Sequence, residues 1–315
     1  MRRESILFFI LLLLYIVVFF ISIFWGQTSI HMWNMTPDQI MVVHYRIERF
    51  LVSSAVGIVL SCTALTLQTI TRNYLVDSSL LGVNSGAVLG RIFSMFLHVG
   101  PSQLFSLMGS LLGLGATFAL GSIGGSDILR LVVAGVVVNS VLSSGISLIS
   151  LYLYTSASSV LSWTLGHIRI VTSEEWVAIL VALILCLLLV SRSKKLDLLT
   201  LSREEAMTLG INYRQELTLL LTTSALAGSL VSSIFGVFSF IGVAAPNMAR
   251  QFVSGGHLKM FFYSSLIGAE LMAFSDVFAR SIIPGLEVPT GLIVSFVGAV
   301  FYLYFFWRTP HDHLA

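Results

Sequence analysis

The chain has 315 residues, of which 56% are apolar and 10% are charged, and its net charge is +2. Soluble domains carry about 25% charged residues, so this composition excludes a water-soluble globular protein. No stretch is basic enough to bind nucleic acid. Cys62 and Cys186 both lie in apolar runs, which excludes a disulfide framework. We therefore expect an all-α integral membrane protein in contact with lipid.

The first apolar run follows Arg2 and Arg3 at the N-terminus. It continues for about twenty residues, which is the length of a membrane-spanning helix. A secretory signal has a shorter apolar core and a cleavage site of small residues, and neither is present. We expect a first transmembrane helix that is retained.

Further apolar runs recur along the whole chain, with no soluble domain, linker or low-complexity tract between them. The sequence thus predicts one transmembrane domain over residues 1–315 with about ten spans. The third and eighth spans are rich in glycine, serine and asparagine. The ten candidates are residues 5–25, 50–70, 78–97, 102–121, 129–153, 176–191, 215–234, 237–253, 260–282 and 289–308.

Lysine and arginine favour cytoplasmic loops, so their distribution predicts the orientation of the chain. With the N-terminus inside and ten alternating spans, twelve basic residues fall inside and four fall outside. The four outside are Arg46, Arg49, Arg169 and Arg280, while Arg91 falls within a span. Both termini are therefore predicted to be cytoplasmic.

The stretch "YRIERF", residues 45–50, opens the second predicted span and contradicts this charge bias. Arg46 and Arg49 stand three residues apart, so they share one face of a helix. Anchoring to lipid phosphates is one explanation for such residues. Recognition of a partner's carboxylates is the other, because the guanidinium group binds them in a bidentate manner.

Small residues in the third span predict close helix packing. Gly82, Gly86 and Gly90 stand four residues apart, a pattern that lets helix backbones approach. Arg91 in this span and Glu270 in the ninth are candidate intramembrane polar residues. Such charges usually face the protein interior or a wet cavity. A structural polar contact and a role in a transport path both remain open for them.

The most charged region, residues 191–214, is predicted to lie in the cytoplasm. Ser202 and Glu205 fit a capping box, and Gly210 fits a helix C-cap. A short amphipathic helix is therefore predicted at about 202–210. It is either a solvated loop helix or a docking helix for a cytoplasmic partner.

Motifs for nucleotide binding and catalysis are missing from the sequence. There is no G-x-x-x-x-G-K-[ST] loop, no H-E-x-x-H pair and no G-x-S-x-G elbow. The "HDH" at 311–313 follows the last span and is interpreted as a solvated tail rather than a metal site. We expect no catalytic residue, no cofactor and no metal in this chain.

Six ordered sequence blocks are similar to those of a known family. The chain resembles the FecCD-type permease subunits of bacterial ABC importers for iron–siderophores, haem and vitamin B12. The family patterns are R-L-P-R, R-N-P-L-A with L-G-V-S-S-G-A, L-G-E-E-Q-A-R-A-L-G-V, F-x-G-L-x-x-P-H-x-x-R, D-x-x-A-R and E-[LIV]-P-x-G. The matching residues here are "RIER" (46–49), "RNYLV" and "LGVNSGA" (72–76 and 81–87, after Gln68), "LSREEAMTLGI" (201–211), "FIGVAAPNMAR" (240–250), "DVFAR" (276–280) and "EVPTG" (287–291).

The resemblance implies the architecture of a type II ABC importer permease in the bacterial cytoplasmic (inner) membrane. Two permeases, identical or sister chains, would form a dimer with the substrate path along their interface. Two ATPase subunits would bind ATP and Mg and dock on the cytoplasmic coupling helix, whose residues here are Glu204, Glu205, Ala206, Leu209 and Gly210.

On the outer side, the resemblance implies docking of a substrate-binding protein through acidic residues on its two lobes. The arginines that would receive it are Arg46, Arg49 and Arg280. Asn73 and Leu75 would lie at the cytoplasmic gate. Ferric siderophore is the expected cargo because it is the commonest case in the family, with haem or cobalamin as alternatives.

Three positions depart from the family patterns. Glu48 replaces a proline and could pair with a neighbouring arginine, weakening docking, or could tune the choice of partner. Tyr74 replaces a proline near the gate, and Asn247 replaces a histidine. Glu270 stands where the family does not typically carry an acid.

Two other classes of protein are weighed against an importer subunit. A secondary transporter driven by an ion gradient would show inverted repeats and discontinuous helices, and no internal repeat is seen. An intramembrane enzyme would need a catalytic constellation within the spans, and none is found.

Overall fold

A computed structural model describes residues 2–26, 36–77, 81–98, 100, 102–122, 128–152 and 164–308. Within these ranges the chain is helical and contains no strand. The "HDH" tail lies outside the described residues. The helices are α1 (Arg2–Phe24), α2 (Pro37–Thr71), α3 (Val83–Leu97), α4 (Ser102–Ser122), α5 (Ile128–Tyr152), α6 (Ser173–Ser191), α7 (Ser193–Leu199), α8 (Arg203–Thr208), α9 (Tyr213–Phe235), α10 (Ile241–Phe252), α11 (His257–Ala279) and α12 (Thr290–Arg308).

Each of the ten predicted spans corresponds to one helix, but not all are full-length spans. Seven described helices are long and apolar enough to cross a membrane, namely α1, α2, α4, α5, α6, α9 and α11. The third and tenth candidates give shorter apolar segments, Val83–Leu97 and Thr290–Val300.

The eighth candidate, predicted over 237–253, is only 12 residues long as α10. At 1.5 Å per residue α10 measures about 18 Å, whereas the hydrocarbon core is about 30 Å thick. The eighth candidate is therefore present as a helix that is shorter than the predicted segment. The reason is local, because Phe240 adopts a positive φ of 75° at the start of the helix and Val253 is extended at its end.

Helix α2 forms the centre of the bundle. A capping box between Thr36 and Gln39 starts it, and Pro37 occupies its first turn. It runs for 35 residues, about 52 Å, and ends at Arg72 with a φ of 51°. In the most apolar stretch of α2, 89% of the residues are buried, whereas the corresponding share in α1 is 17%. The helix begins well before the predicted start at residue 50, so "YRIERF" lies inside it and not at its mouth.

Close backbone contacts join α2 to α11 and α3 to α4. A Cβ atom on Gly57 of α2 would lie 2.2 Å from the carbonyl oxygen of Gly268 in α11. Along α3, a Cβ on Gly86 would lie 2.3 Å from the Gly109 oxygen, and one on Gly90 would lie 2.1 Å from the Phe105 oxygen. Gly86 and Gly90 therefore lie at the contact between α3 and α4, since only glycine permits this approach.

Gly82 differs from the other two glycines of this stripe. It precedes α3 with a φ of 71°, a conformation that strains any residue with a side chain. A Cβ there would also lie 2.7 Å from Val138 Cγ1 in α5. Gly82 therefore serves the turn into α3 and its packing against α5.

We predict that Gly86→Ala destabilises the protein, because the new methyl group has no space against α4. Overpacking of this kind costs about 1–3 kcal/mol. Gly115→Ala is the matched control, since a Cβ at that glycine of α4 meets nothing within 4 Å. Thermal unfolding in detergent should show a lower midpoint for Gly86→Ala only. Equal midpoints for both variants would contradict the packing argument.

Candidate functional site

Three of the four arginines that the charge bias places outside meet at one end of the bundle, together with two acidic residues. We call Arg46, Arg49, Asp276, Arg280 and Glu287 the outer cluster. Arg46 and Arg49 come from α2, Asp276 from α11, and Arg280 and Glu287 from the segment between α11 and α12. The cluster combines three arginines with two carboxylates, so it carries one excess positive charge.

Arg49 is the centre of this cluster and has no exposed surface. Its Nε donates to Asp276 Oδ1 and Oδ2 at 3.0 and 3.1 Å. Its Nη1 donates to Glu287 Oε2 at 2.9 Å and to Tyr45 Oη at 2.7 Å. His167 lies at the rim, with Nε2 at 3.6 Å from Glu287 Oε2. Two carboxylates thus compensate the burial of one guanidinium group, as a buried charge requires.

Arg46 and Arg280 contact the C-terminal end of α1. Arg46 Nη1 donates to the Ile23 carbonyl at 2.5 Å, and Arg280 Nη2 donates to the Ser22 carbonyl at 2.5 Å and to Ser22 Oγ at 2.8 Å. The last carbonyl groups of a helix have no partner within the helix and carry its negative dipole end. The two arginines satisfy these groups and hold α1 against the bundle.

Docking of a binding protein through these three arginines stays a prediction, and the geometry constrains it. All three are buried on acceptors of the chain itself. In this arrangement Arg49 cannot contact a partner, because its guanidinium group is enclosed by Asp276, Glu287 and Tyr45. Access to it requires that the side chain of Glu287, 41% exposed, moves away.

Glu48 does not serve as a partner for Arg49, which pairs with Asp276 and Glu287 instead. The Glu48 side chain points to α6, where Oε1 accepts a hydrogen bond from Trp176 Nε1 at 3.3 Å. Of the two suggestions for Glu48, the structure gives no pairing with Arg49, and the tuning of partner choice stays a prediction. Successive residues of an α-helix are rotated by about 100° around its axis, which directs Glu48 away from its neighbour Arg49.

Arg169, the fourth arginine predicted outside, forms an ion pair with Glu175 of α6. Glu175 also accepts from Gln103 Nε2 at 3.1 Å and closes a capping box with Thr172. Arg169 thus contributes to the attachment of α6 and is not part of the outer cluster.

The predicted cytoplasmic helix is present as α8, and its caps are those predicted. Ser202 N donates to Glu205 Oε2 at 3.0 Å, Glu205 N donates to Ser202 Oγ at 3.3 Å, and Gly210 has a φ of 81°. Hydrogen bonds from the Ser202 hydroxyl and backbone lower the pKa of Glu205. Ala206 is fully buried, whereas Glu204 and Leu209 are exposed. One face of α8 packs on the protein and the other faces outward.

Ion pairs tie the neighbouring helix α7 to the spans. Glu216 of α9 accepts from Arg192 Nη1 at 2.9 Å and pairs with Lys195. Asp197 Oδ1 accepts from the His257 backbone N of α11 at 2.9 Å. The segment that carries α8 is thereby fixed to two transmembrane helices.

Asn73 and Leu75, predicted near a gate, lie in the turn after α2. The Asn73 side-chain oxygen accepts from Leu75 N at 2.9 Å, which stabilises the turn. Both residues are exposed. They lie at the end of the central helix opposite the outer cluster, and the gating role stays a prediction.

The two candidate intramembrane charges have different environments. Arg91 Nη1 donates to the carbonyls of Ser233 and Ile234 at 3.1 and 3.2 Å, so it caps the C-terminal end of α9. This is the structural polar contact that the sequence left open. Glu270 is buried, and its Oε1 has no hydrogen-bond partner among the described residues.

Sequence reasoning missed the acidic half of the outer cluster. Asp276 and Glu287 stand in the quoted sequence blocks, but they were not singled out as site residues. These two acids could have been identified from the prediction that three arginines lie at one end of the bundle. Buried cations need acidic partners, and these two acids fall at the same end by the predicted topology.

Comparison with known proteins gives a consistent result over nearly the whole chain. The model of the FecCD transport family matches residues 11–308. The hemin transport system permease protein HmuU of Yersinia pestis is 32% identical over 88% of this chain and 87% of its own length. The Fe(3+)-citrate import system permease protein YfmD of Bacillus subtilis is 29% identical over 90% and 86%.

A solved structure has the same architecture as this chain. It is described as an inward-facing metal-chelate type ABC transporter, and the two chains share 26% identity with a TM-score of 0.80. The match covers 98% of this chain and 100% of the other. The all-helical fold predicted from the sequence is confirmed.

We predict that Asp276→Asn destabilises the protein much more than Glu287→Gln. Removing the buried Asp276 charge leaves Arg49 with one partner, and breaking a buried ion pair costs about 3–5 kcal/mol. Glu287 is 41% exposed, so solvent screens its contribution to about 1 kcal/mol or less. Thermal unfolding in detergent measures both effects.

Glu174→Gln is the control, because it removes an exposed negative charge at the same end of the bundle. It should leave the unfolding midpoint unchanged. Asp276→Asn with a midpoint equal to that of the control would show that the Arg49–Asp276 contact does not hold α2 and α11 together.

Proposed function

We infer that this chain, which belongs to the FecCD transport family, is the membrane-spanning permease subunit of an ATP-driven ABC importer. The observation that carries this is the family match over residues 11–308 together with the shared architecture of a metal-chelate type ABC transporter. The chain is an integral membrane protein and a transport component, and permeases of this kind work with an ATPase and a binding protein.

We propose that two permease copies, or this chain and a sister permease, assemble with two ATP-binding subunits. ATP and Mg bind in those subunits, and this chain supplies the passage. The membrane is the bacterial inner membrane, with both termini in the cytoplasm. The twelve-to-four distribution of basic residues supports this orientation. The outer cluster contains residues predicted to lie outside, and the α7–α8 segment contains residues predicted to lie inside.

The ATPase subunits dock on the α8 segment in this proposal. Met207 and Leu209 are apolar and 55% and 59% exposed, and they stand beside the ionised Glu205. Exposed apolar side chains bordered by charges are typical of protein interfaces. Ala206 and the ion pairs of α7 hold this surface against α9 and α11, so a displacement of α8 reaches the spans.

The binding protein docks at the outer cluster in this proposal. The excess positive charge there favours an acidic partner. A carboxylate of that partner can take the place of Glu287 at Arg49, because Glu287 is the exposed member of the pair. Exchange of one carboxylate for another keeps the buried guanidinium group compensated throughout.

The cargo we propose is a ferric siderophore. The two named relatives are a hemin permease and a ferric citrate permease, and the solved structure is of the metal-chelate type. Haem and cobalamin are the alternatives, since all three classes are bulky chelates that a permease of this architecture would pass.

Reconstitution in liposomes tests the importer. The chain, its ATPase and its binding protein should take up a radiolabelled ferric siderophore only with ATP on the cytoplasmic side. Omission of the ATPase should abolish uptake. Uptake by the chain alone in a proton gradient would instead establish a secondary transporter, and uptake of haem but not siderophore would change the cargo.

We predict that Leu209→Glu reduces co-purification of the ATPase about tenfold or more, because it places a charge in an apolar contact. Lys194→Glu is the matched control, since it places a negative charge on an exposed residue of α7 outside the α8 surface. Co-purification from detergent measures the effect. Equal recovery with Leu209→Glu and with Lys194→Glu would contradict the role of α8 as the docking helix.

A further inference from the structure

The turn that follows α2 lies between the α7–α8 segment and the short helix α10. On one side Arg72 attaches this turn to the α7–α8 segment. Its Nη2 donates to the carbonyl oxygens of Thr200 and Leu201 at 3.1 and 2.7 Å, and these residues connect α7 to α8. A charged donor on two carbonyl acceptors forms a stronger contact than a neutral hydrogen bond.

On the other side Tyr74 attaches the same turn to α10. The guanidinium carbon of Arg250 lies over the Tyr74 ring, 4.4 Å from its centroid. Asn247, one helical turn before Arg250, donates from Nδ2 to the Tyr74 carbonyl at 2.9 Å. The cation–π contact and the hydrogen bond therefore act on one residue of the turn.

Arg250 is itself held in place by α2 and α10. Its Nη1 donates to Gln68 Oε1 at 2.5 Å and to Asn247 Oδ1 at 2.8 Å. Gln68 Nε2 donates to the Gly242 carbonyl at the start of α10. Gln68 is fully buried and Tyr74 is 55% exposed, so Arg250 is held by α2 from the interior and by the turn from the surface.

We propose that Arg72, Tyr74, Asn247 and Arg250 form an inner strap that transmits displacement of α8 to α10. The proposal rests on the proposed function, because it takes α8 to be the helix that the ATPase moves. The strap is continuous from the Leu201 carbonyl through the turn to α10. Helix α10 can shift as a short unit, since Phe240 at its start and Val253 at its end are both non-helical. The four residues are positioning residues and contact neither ATP nor cargo.

Two members of the inner strap are positions where the chain departs from the family patterns. Tyr74 and Asn247 replace a proline and a histidine, and they contact each other. A proline at 74 would provide no aromatic ring for Arg250 to stack on. The contact between Tyr74 and Asn247 is therefore made by two residues that differ from the family patterns.

The decisive variant is Tyr74→Leu, with Tyr74→Phe as its matched control. Leucine removes the ring beneath Arg250, whereas phenylalanine retains it. Because Tyr74 is exposed, neither change should affect folding. In liposomes containing the complete importer, Tyr74→Leu should lower substrate uptake per ATP hydrolysed about fivefold or more. Tyr74→Phe should stay within about twofold of the unmodified protein.

Arg72→Ala tests the other end of the inner strap in the same assay. It should also lower uptake per ATP, while co-purification of the ATPase is unchanged. Lys194→Ala removes an exposed positive charge from the same segment and should have no effect. Equal coupling ratios for Arg72→Ala and Lys194→Ala would overturn the role of Arg72.

Spin labels distinguish a failure of the inner strap from a failure of the proposed function. They are attached singly through Thr208→Cys on α8 and Gln251→Cys on α10, with Cys62 and Cys186 replaced by alanine. ATP with vanadate should change the spectra of both labels, and Tyr74→Leu should reduce the change at 251 only, since the Asn247 hydrogen bond to the Tyr74 carbonyl remains. No change at 208 in the starting protein would contradict the docking role of α8. A change at 251 that is as large in Tyr74→Leu as in the starting protein would overturn the inner strap alone.

Discussion

Burial of the Arg49 guanidinium group is the constraint on which the outer half of this protein depends. A charge without exposed surface must have partners of opposite sign, and Asp276 and Glu287 provide them. These partners come from α11 and from the segment that leads to α12, so one side chain of α2 joins three parts of the bundle. Arg46 and Arg280 extend the network to the end of α1. Three buried arginines and two carboxylates thus join α1, α2, α11 and the segment that leads to α12.

Local features of the fold could be predicted from the sequence, because they depend on neighbouring residues. The Ser202–Glu205 capping box and the stripe of Gly86 and Gly90 are examples, and both are found where the pattern places them. The apolar runs also identify the helices, since length and hydropathy are properties of a continuous segment.

Features that depend on residues far apart in the chain could not be read from the pattern. Glu48 stands between two arginines in the sequence, yet its hydrogen bond is to Trp176. Arg49 and Asp276 are separated by 227 positions. The outward placement of Arg46, Arg49 and Arg280 was inferred from charge counts, which carry no information on whether a side chain points to solvent or to the interior.

The length of α2 has a consequence for how the two sides of the membrane communicate. One continuous helix carries Arg49 in the outer cluster and ends at Arg72 beside the α7–α8 segment, about 35 Å away. Free-energy coupling between two sites is reciprocal. If docking of the binding protein changes the affinity of the importer for nucleotide by some factor, nucleotide changes the affinity for the binding protein by the same factor. This holds whatever part of the coupling α2 carries. The two aqueous compartments are then linked in equilibrium terms even when no cargo crosses.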